Sequence, residues 1–192
     1  MLCAGTRPDL DGLTLTDIVL RATGLALGVM PSANSVYIGD GVTRPVDGAN
    51  VALVMRTGSS VTLSMLPDVD VVELPTVMGL RKAAQVLGGS AEIPDGSTAV
   101  GVVFNGDGAP AECAIFRTVL PPGLAALITI GGARSKIGWD ENTGFPAAHT
   151  ELTLSLTADA RVLDNAAASA FLQAVGMQVQ EFPSRALATQ VL

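Results

Sequence analysis

Lysine is nearly missing from this chain of 192 residues: Lys82 and Lys136 are the only two, and 11 basic residues in all face 18 acidic ones for a net charge of −7. No five-residue window holds more than two basic side chains. A nucleic-acid groove needs clustered cations to release counterions from phosphate, so direct nucleic-acid binding is not expected. Attachment to an anionic membrane needs a basic run beside an apolar face, and none is present. Long apolar runs are missing as well. Mean hydropathy is +0.46, yet the longest apolar stretches, at 25–30 and 124–130, reach at most seven residues, against the ~20 that span a bilayer. Residues 1–10 lack a basic region followed by an apolar stretch, so a cytoplasmic origin is expected.

Histidine and cysteine are almost as scarce. One histidine and two distant cysteines, Cys3 and Cys113, provide no metal-ligand spacing, so no metal and no cofactor are expected. Two cysteines without an export signal read as free thiols. Asp68, Asp70 and Asp107 lack the spacing of a calcium loop and read as solvated turn residues. The stretch 131–136, Gly-Gly-Ala-Arg-Ser-Lys, lacks the spacing of a phosphate-binding loop and reads as solvated too.

What is abundant is uncharged. Hydrophobic residues make up 48% and charged ones 15%, where an average domain carries about 25% charged. Serine and threonine together number 27. A chain of this size can bury a full core as a single domain, residues 1–192. The charge deficit implies a surface largely covered by neighbours, so the isolated chain is not expected to be a stable monomer.

Periodicity predicts a helix over 15–23, capped by Thr14 or Thr16 and stopped by Gly24. Short strands follow at 35–38 and 71–74, and a hairpin pairs 50–56 with 61–66, where Val61, Leu63 and Met65 alternate with Thr62 and Ser64. A helix over 76–87 buries Val77, Leu80, Ala84 and Leu87 and keeps Arg81 and Lys82 on its other side. A second hairpin, 98–104 with 112–120, and strands at 124–130 and 150–157 come next. Asp164 then caps a helix over 165–175 that Gly176 closes, before a last strand at 177–182. Hairpins outnumber crossovers in this order, which gives an α+β fold with a mainly antiparallel sheet and about three helices.

Residues 131–148 are rich in glycine and hold Trp139 and Phe145. This stretch reads as a long loop serving as an interface arm, with those two aromatics as anchors. His149 follows it directly and is the one side chain whose ordinary pKa suits proton transfer near neutrality. Cys113, in Glu112-Cys113-Ala114, is the other candidate for chemistry, though its apolar strand setting implies an inert, packed thiol.

The phrase Val36-Tyr37-Ile38-Gly39-Asp40-Gly41-Val42 resembles one found in tail-fibre and tail-spike proteins of tailed bacteriophages. That resemblance implies an assembly role. With the charge deficit, it ranks a structural subunit of a large homo-oligomer first, in concrete form a virion component such as a tail, neck or outer-shell protein. Its partners would be itself and other assembly proteins. A small cytosolic enzyme with a site near His149 and the 131–148 loop ranks second.

Overall fold

The fold is that of a computed structural model, which describes residues 12–57, 60–103, 115, 118–132, 134–140 and 144–182. Thr14 opens helix α1, Leu15–Val29. Its hydroxyl accepts from the Asp17 N–H at 3.3 Å, and the Asp17 carboxylate accepts from the Thr14 N–H at 2.7 Å. This reciprocal box satisfies two orphan donors and sets an anion in the positive first turn. The helix does not stop at Gly24. A Cβ there would lie 2.8 Å from the Asp70 nitrogen and the Val69 carbonyl carbon, so the glycine serves close approach of the chain rather than termination.

Strands β1, Ser35–Gly39, and β2, Val42–Pro45, form a small antiparallel pair. Asp40 and Gly41 make its turn with φ of 50° and 77°. The hairpin of β3, Val51–Thr57, with β4, Ser60–Leu66, is the one expected, registered from Val51 opposite Leu66 to Thr57 opposite Ser60. The strand expected at 71–74 is instead a turn leading into α2, Leu74–Leu87, which has Pro75 in its first turn and Gly88 at φ 74° just past its end.

The main sheet is where expectation and structure part. Strand β5, Val100–Val103, runs parallel to both β3 and β6, Ala126–Ile130. Both edges of β5 are thereby occupied; the hairpin partner expected at 112–120 falls largely outside the described residues, since 104–114, 116 and 117 are not among them. With β9, Leu154–Ala158, antiparallel on β6, the order is β4-β3-β5-β6-β9. The α+β class and the three helices stand, but the sheet is mixed rather than mainly antiparallel.

Asp164 caps α3, Asn165–Glu181, by accepting from the Ala167 N–H at 2.8 Å. Gly176 does not close the helix. The expected strand at 177–182 is largely its last turns, because Phe171 and Val175 are buried in the core and Val179 and Phe182 pack against it, at a helical spacing. One sheet face meets the helices: Val51, Leu53, Val100, Val102, Ala126, Ile128 and Ile130 pack with Val19, Leu20, Phe171 and Val175. The other face carries Ala52, Val54, Leu63, Leu124 and Leu127, a cluster without a helix residue. Gly101 belongs to this second face, where a Cβ would sit 2.8 Å from Leu124 Cδ1. Strands buried on both faces read as unbroken apolar runs, which is why 124–130 shows no alternation. Among the described residues no helix is long and apolar enough to cross a membrane.

Candidate functional site

The glycine-rich stretch expected to be a loop is a third hairpin. Strand β7, Arg134–Asp140, pairs antiparallel with β8, Phe145–Glu151, in a sheet of its own. The signal was present in the alternation of Ile137 and Trp139 with Lys136 and Gly138, masked by the many glycines. Opposite pairs run from Arg134 and Glu151, through Lys136 and His149, to Trp139 and Pro146 and then Asp140 and Phe145. Since opposite residues share a face, Ile137, Trp139, Pro146 and Ala148 lie on one side of the ribbon. Phe145 lies on the other, with Lys136 and Glu151, so the two expected anchors do not form one patch. Both are exposed, Trp139 at 67% and Phe145 at 71%, beside Ile137 at 83%. Lys136 and Glu151 make an exposed ion pair at 2.5 Å.

His149 is thus placed at a register position on this ribbon, outside the five-stranded sheet. Cys113, its expected alternative, lies outside the described residues. Among the described residues no three His, Cys, Asp or Glu side chains converge.

Two charged clusters went unnoticed in the sequence. At the turn between β9 and α3, Arg161 clasps the Asp159 carboxylate through Nε at 2.9 and 3.1 Å and Nη2 at 2.6 Å. Its guanidinium lies over the Tyr37 ring, 4.0 Å from the centroid. The hydrogen bonds from Arg161 hold the Asp159 carboxyl below the ordinary carboxylate range, against a smaller opposing effect of burial. The second cluster is buried. Arg81, expected on the outer side of α2, points inward instead and donates from Nε to Asp17 Oδ1 at 2.6 Å, with side chains 5% and 0% exposed. Asp17 lies in the first turn of α1, and nothing in a single sequence announces a partner 64 positions away.

A shallow cleft of about 250 Å³ opens between α1 and the β2–β3 connection, lined by Leu27, Pro31, Asn34, Val46, Gly48 and Asp70 among others. The Asn34 amide donates to the Val46 and Gly48 carbonyls at 3.0 and 2.7 Å. That asparagine fixes the path of the connection, so the cleft is first a by-product of the turn.

A family model described as 2-oxoacid dehydrogenases acyltransferase (catalytic domain) matches residues 4–187. The chain belongs to this family. A curated relative from Arabidopsis thaliana, the dihydrolipoyllysine-residue acetyltransferase component 4 of the chloroplastic pyruvate dehydrogenase complex, is 24% identical over 163 residues. That match takes in 84% of this chain and 34% of the relative, so the chain spans about a third of the relative's length. Among solved structures, the dihydrolipoamide acetyltransferase of Azotobacter vinelandii superposes with a TM-score of 0.70 at 20% identity, covering 88% of this chain and 69% of that one. That protein was studied for the role of a serine, a histidine and an asparagine in its catalytic mechanism. The cubic core of a pyruvate dehydrogenase multienzyme complex gives 0.67 at 20% identity, covering 88% and 69%.

Membership of this family overturns the expected virion component, and with it the virion location. It overturns the leaning away from an enzyme too, since the family is one of acyltransferases. The misleading phrase at 36–42 is simply β1, an Asp-Gly turn and β2. Such turns are set by local φ requirements that any hairpin shares.

Proposed function

We propose that this chain is a core subunit of an acyl-transferring assembly, whose ligand is an acyl group carried as a thioester. The observation that carries the reading is the family match across residues 4–187. Dihydrolipoamide, the acceptor in the names of the relatives, is a dithiol. An acetyltransferase acting on it makes or breaks a thioester, and the thiolate is the nucleophile.

The chain departs from the Azotobacter vinelandii relative in one respect that bears on rate. In that protein the asparagine follows the histidine by four positions. Here the lone histidine is His149, the residue four positions on is Thr153, and His149 belongs to the outlying ribbon. We therefore assign His149 no part in proton removal. A positioned general base contributes about 10²- to 10⁴-fold, and transfer here is slower by that order.

The test is acetyl transfer from acetyl-CoA to dihydrolipoamide by the purified chain and by His149→Ala. Slow turnover that rises about tenfold per pH unit below the thiol pKa, equal within twofold in the two proteins, is the expected result. A loss of more than a hundredfold in His149→Ala would make that residue the base after all. Failure of acetyl-CoA or dihydrolipoamide to bind saturably would remove the acyl reading itself.

A further inference from the structure

The cleft beside α1 holds more polarity than its turn accounts for. Its walls are apolar, from Leu27, Pro31 and Val46 among others, yet two carboxylates stand at it. Asp70 lines it directly, with Oδ2 3.9 Å from where a Cβ on Gly28 would sit. Asp68 comes in beside Gly48, its Oδ1 2.7 Å from the corresponding Cβ position there. Among the described residues neither carboxylate is hydrogen-bonded or ion-paired, and Arg21 of α1 donates to the Val69 carbonyl instead. Carboxylates at a turn are ordinarily just solvated; what changes the reading is Asn34, which lines the same cleft and is 8% exposed. Its Nδ2 is spent twice, on the Val46 and Gly48 carbonyls. That fixes the amide and leaves Oδ1, buried and without a hydrogen-bond partner, as the atom it offers. Buried polar atoms are normally satisfied, so an orphaned acceptor asks for a donor.

Asn34, Asp68 and Asp70 thus present acceptors only, and Pro31 and Pro45 in the lining have no N–H to add. The complementary ligand brings several donors, no acceptor, a positive charge and an apolar stem. Among the described residues no three His, Cys, Asp or Glu side chains converge, which speaks against a metal ion. A volume of about 250 Å³ is below the ~300–1,000 Å³ of drug-sized sites and suits a short chain with a compact three-donor head, as an ammonium is, better than a planar guanidinium. We propose that this cleft binds a primary alkylammonium ion, with Asp70 as its counter-charge and Asn34 Oδ1 as its buried acceptor. The site is independent of the acyl-transfer reading.

The probes are pentylammonium, neutral pentanol and anionic pentanoate, titrated on the full chain at constant ionic strength and followed by saturation transfer to the probe's own protons. Pentylammonium saturates, and the other two bind weaker by about tenfold or more, the worth of one charge-assisted hydrogen bond. Asp70→Asn, whose side chain has no partner to lose, weakens pentylammonium by about the same factor with the circular dichroism unchanged. Gly28→Leu lies in the last turn of α1, where a new Cβ meets only Asp70 Oδ2; it fills the cleft and abolishes binding. Nα-acetyl-lysine methylamide separates the two sources of such an ion: tighter binding than pentylammonium assigns the cleft to a lysine of another protein, and no tighter binding to a free amine. A pentylammonium signal that never saturates, one no stronger than pentanol, or an unchanged affinity in Asp70→Asn overturns the proposal and leaves the cleft to water. Binding of acetyl-CoA and dihydrolipoamide, measured separately, reports on the acyl reading.

Discussion

Replacing Arg81 with Met tests whether α1 and α2 are held together by the pair buried between them. The methionine keeps most of the apolar stem of Arg81 and removes its charge. Asp17, with a fully buried side chain, is then left as an anion without its guanidinium, and the contacts of Arg81 with Gln85 Oε1 at 2.6 Å and the Gly12 carbonyl at 3.2 Å go as well. Leaving a buried charge unpaired costs about 3–5 kcal/mol, a large part of the ~5–15 kcal/mol by which a domain is stable. At about 2–4 °C per kcal/mol for a chain of this length, the melting point falls by roughly 10 °C. The double variant Asp17→Leu with Arg81→Met removes both charges and recovers most of this. It retains a deficit of about 1 kcal/mol, because Asp17 also accepts from the Thr14 N–H at the helix start. Urea unfolding at one fixed protein concentration measures all three, since association shifts apparent stability with concentration. A loss below about 1 kcal/mol for Arg81→Met, or a double variant no better than the single one, refutes the argument.

Gly24→Ala is expected to destabilise by about 1–3 kcal/mol, despite a helix-propensity gain of about 1 kcal/mol, because the new methyl would meet backbone at 2.8 Å. Gly176→Ala, in an interior turn of α3 with nothing within 4 Å of the new carbon, is expected to stabilise by about 0.5–1 kcal/mol; unfolding midpoints moving in the same direction would contradict the contrast. The Asp159 carboxyl, held below its ordinary range by Arg161, contributes stability that is present above the unfolded-state pKa near 3.9 and is lost as pH falls through the lower folded value. Carboxyl-detected NMR titration of Arg161→Ala should show that value move upward, and an unchanged titration would remove Arg161 as its cause.

Local signals in the sequence carried local structure. Thr14, one of the two expected caps of α1, Asp164 before Asn165, and the alternation through 61–65 each encode a cap or a pleat within a few residues, and each is found in the structure. Gly24 and Gly176 were misread because a glycine inside a helical pattern has the same letter whether it ends the helix, admits a crossing chain or does neither. The order of the main sheet depends on Val51 meeting Val100 and Val100 meeting Ala126, contacts far apart in sequence that periodicity does not address. Arg81 was misplaced for a related reason, since its burial is decided by Asp17 on another helix. Of the stretch 131–148, the concentration of aromatics was legible and the hairpin that carries them was not. Trp139 and Phe145 sit one residue out of phase across the ribbon, and without the register their opposite faces could not be told.

The mistaken virion reading shows how far composition reaches. A surface short of charge, with Ile137 and Trp139 in solvent, describes how much apolar area the chain shows. It carries no information on what chemistry is performed, because a phage tail and a metabolic core ask the same thing of a subunit's outer residues. The chemistry has to come from the site, and here the scarcity of histidine is the informative feature. With one histidine on an outlying ribbon, this chain can share the family's fold while differing from the Azotobacter vinelandii relative in the step proposed above to be slow, removal of the thiol proton. The fold is set by many residues spread along the sequence and survives at 20% identity. A proton-transfer step hangs on one side chain and can be lost while the rest is kept.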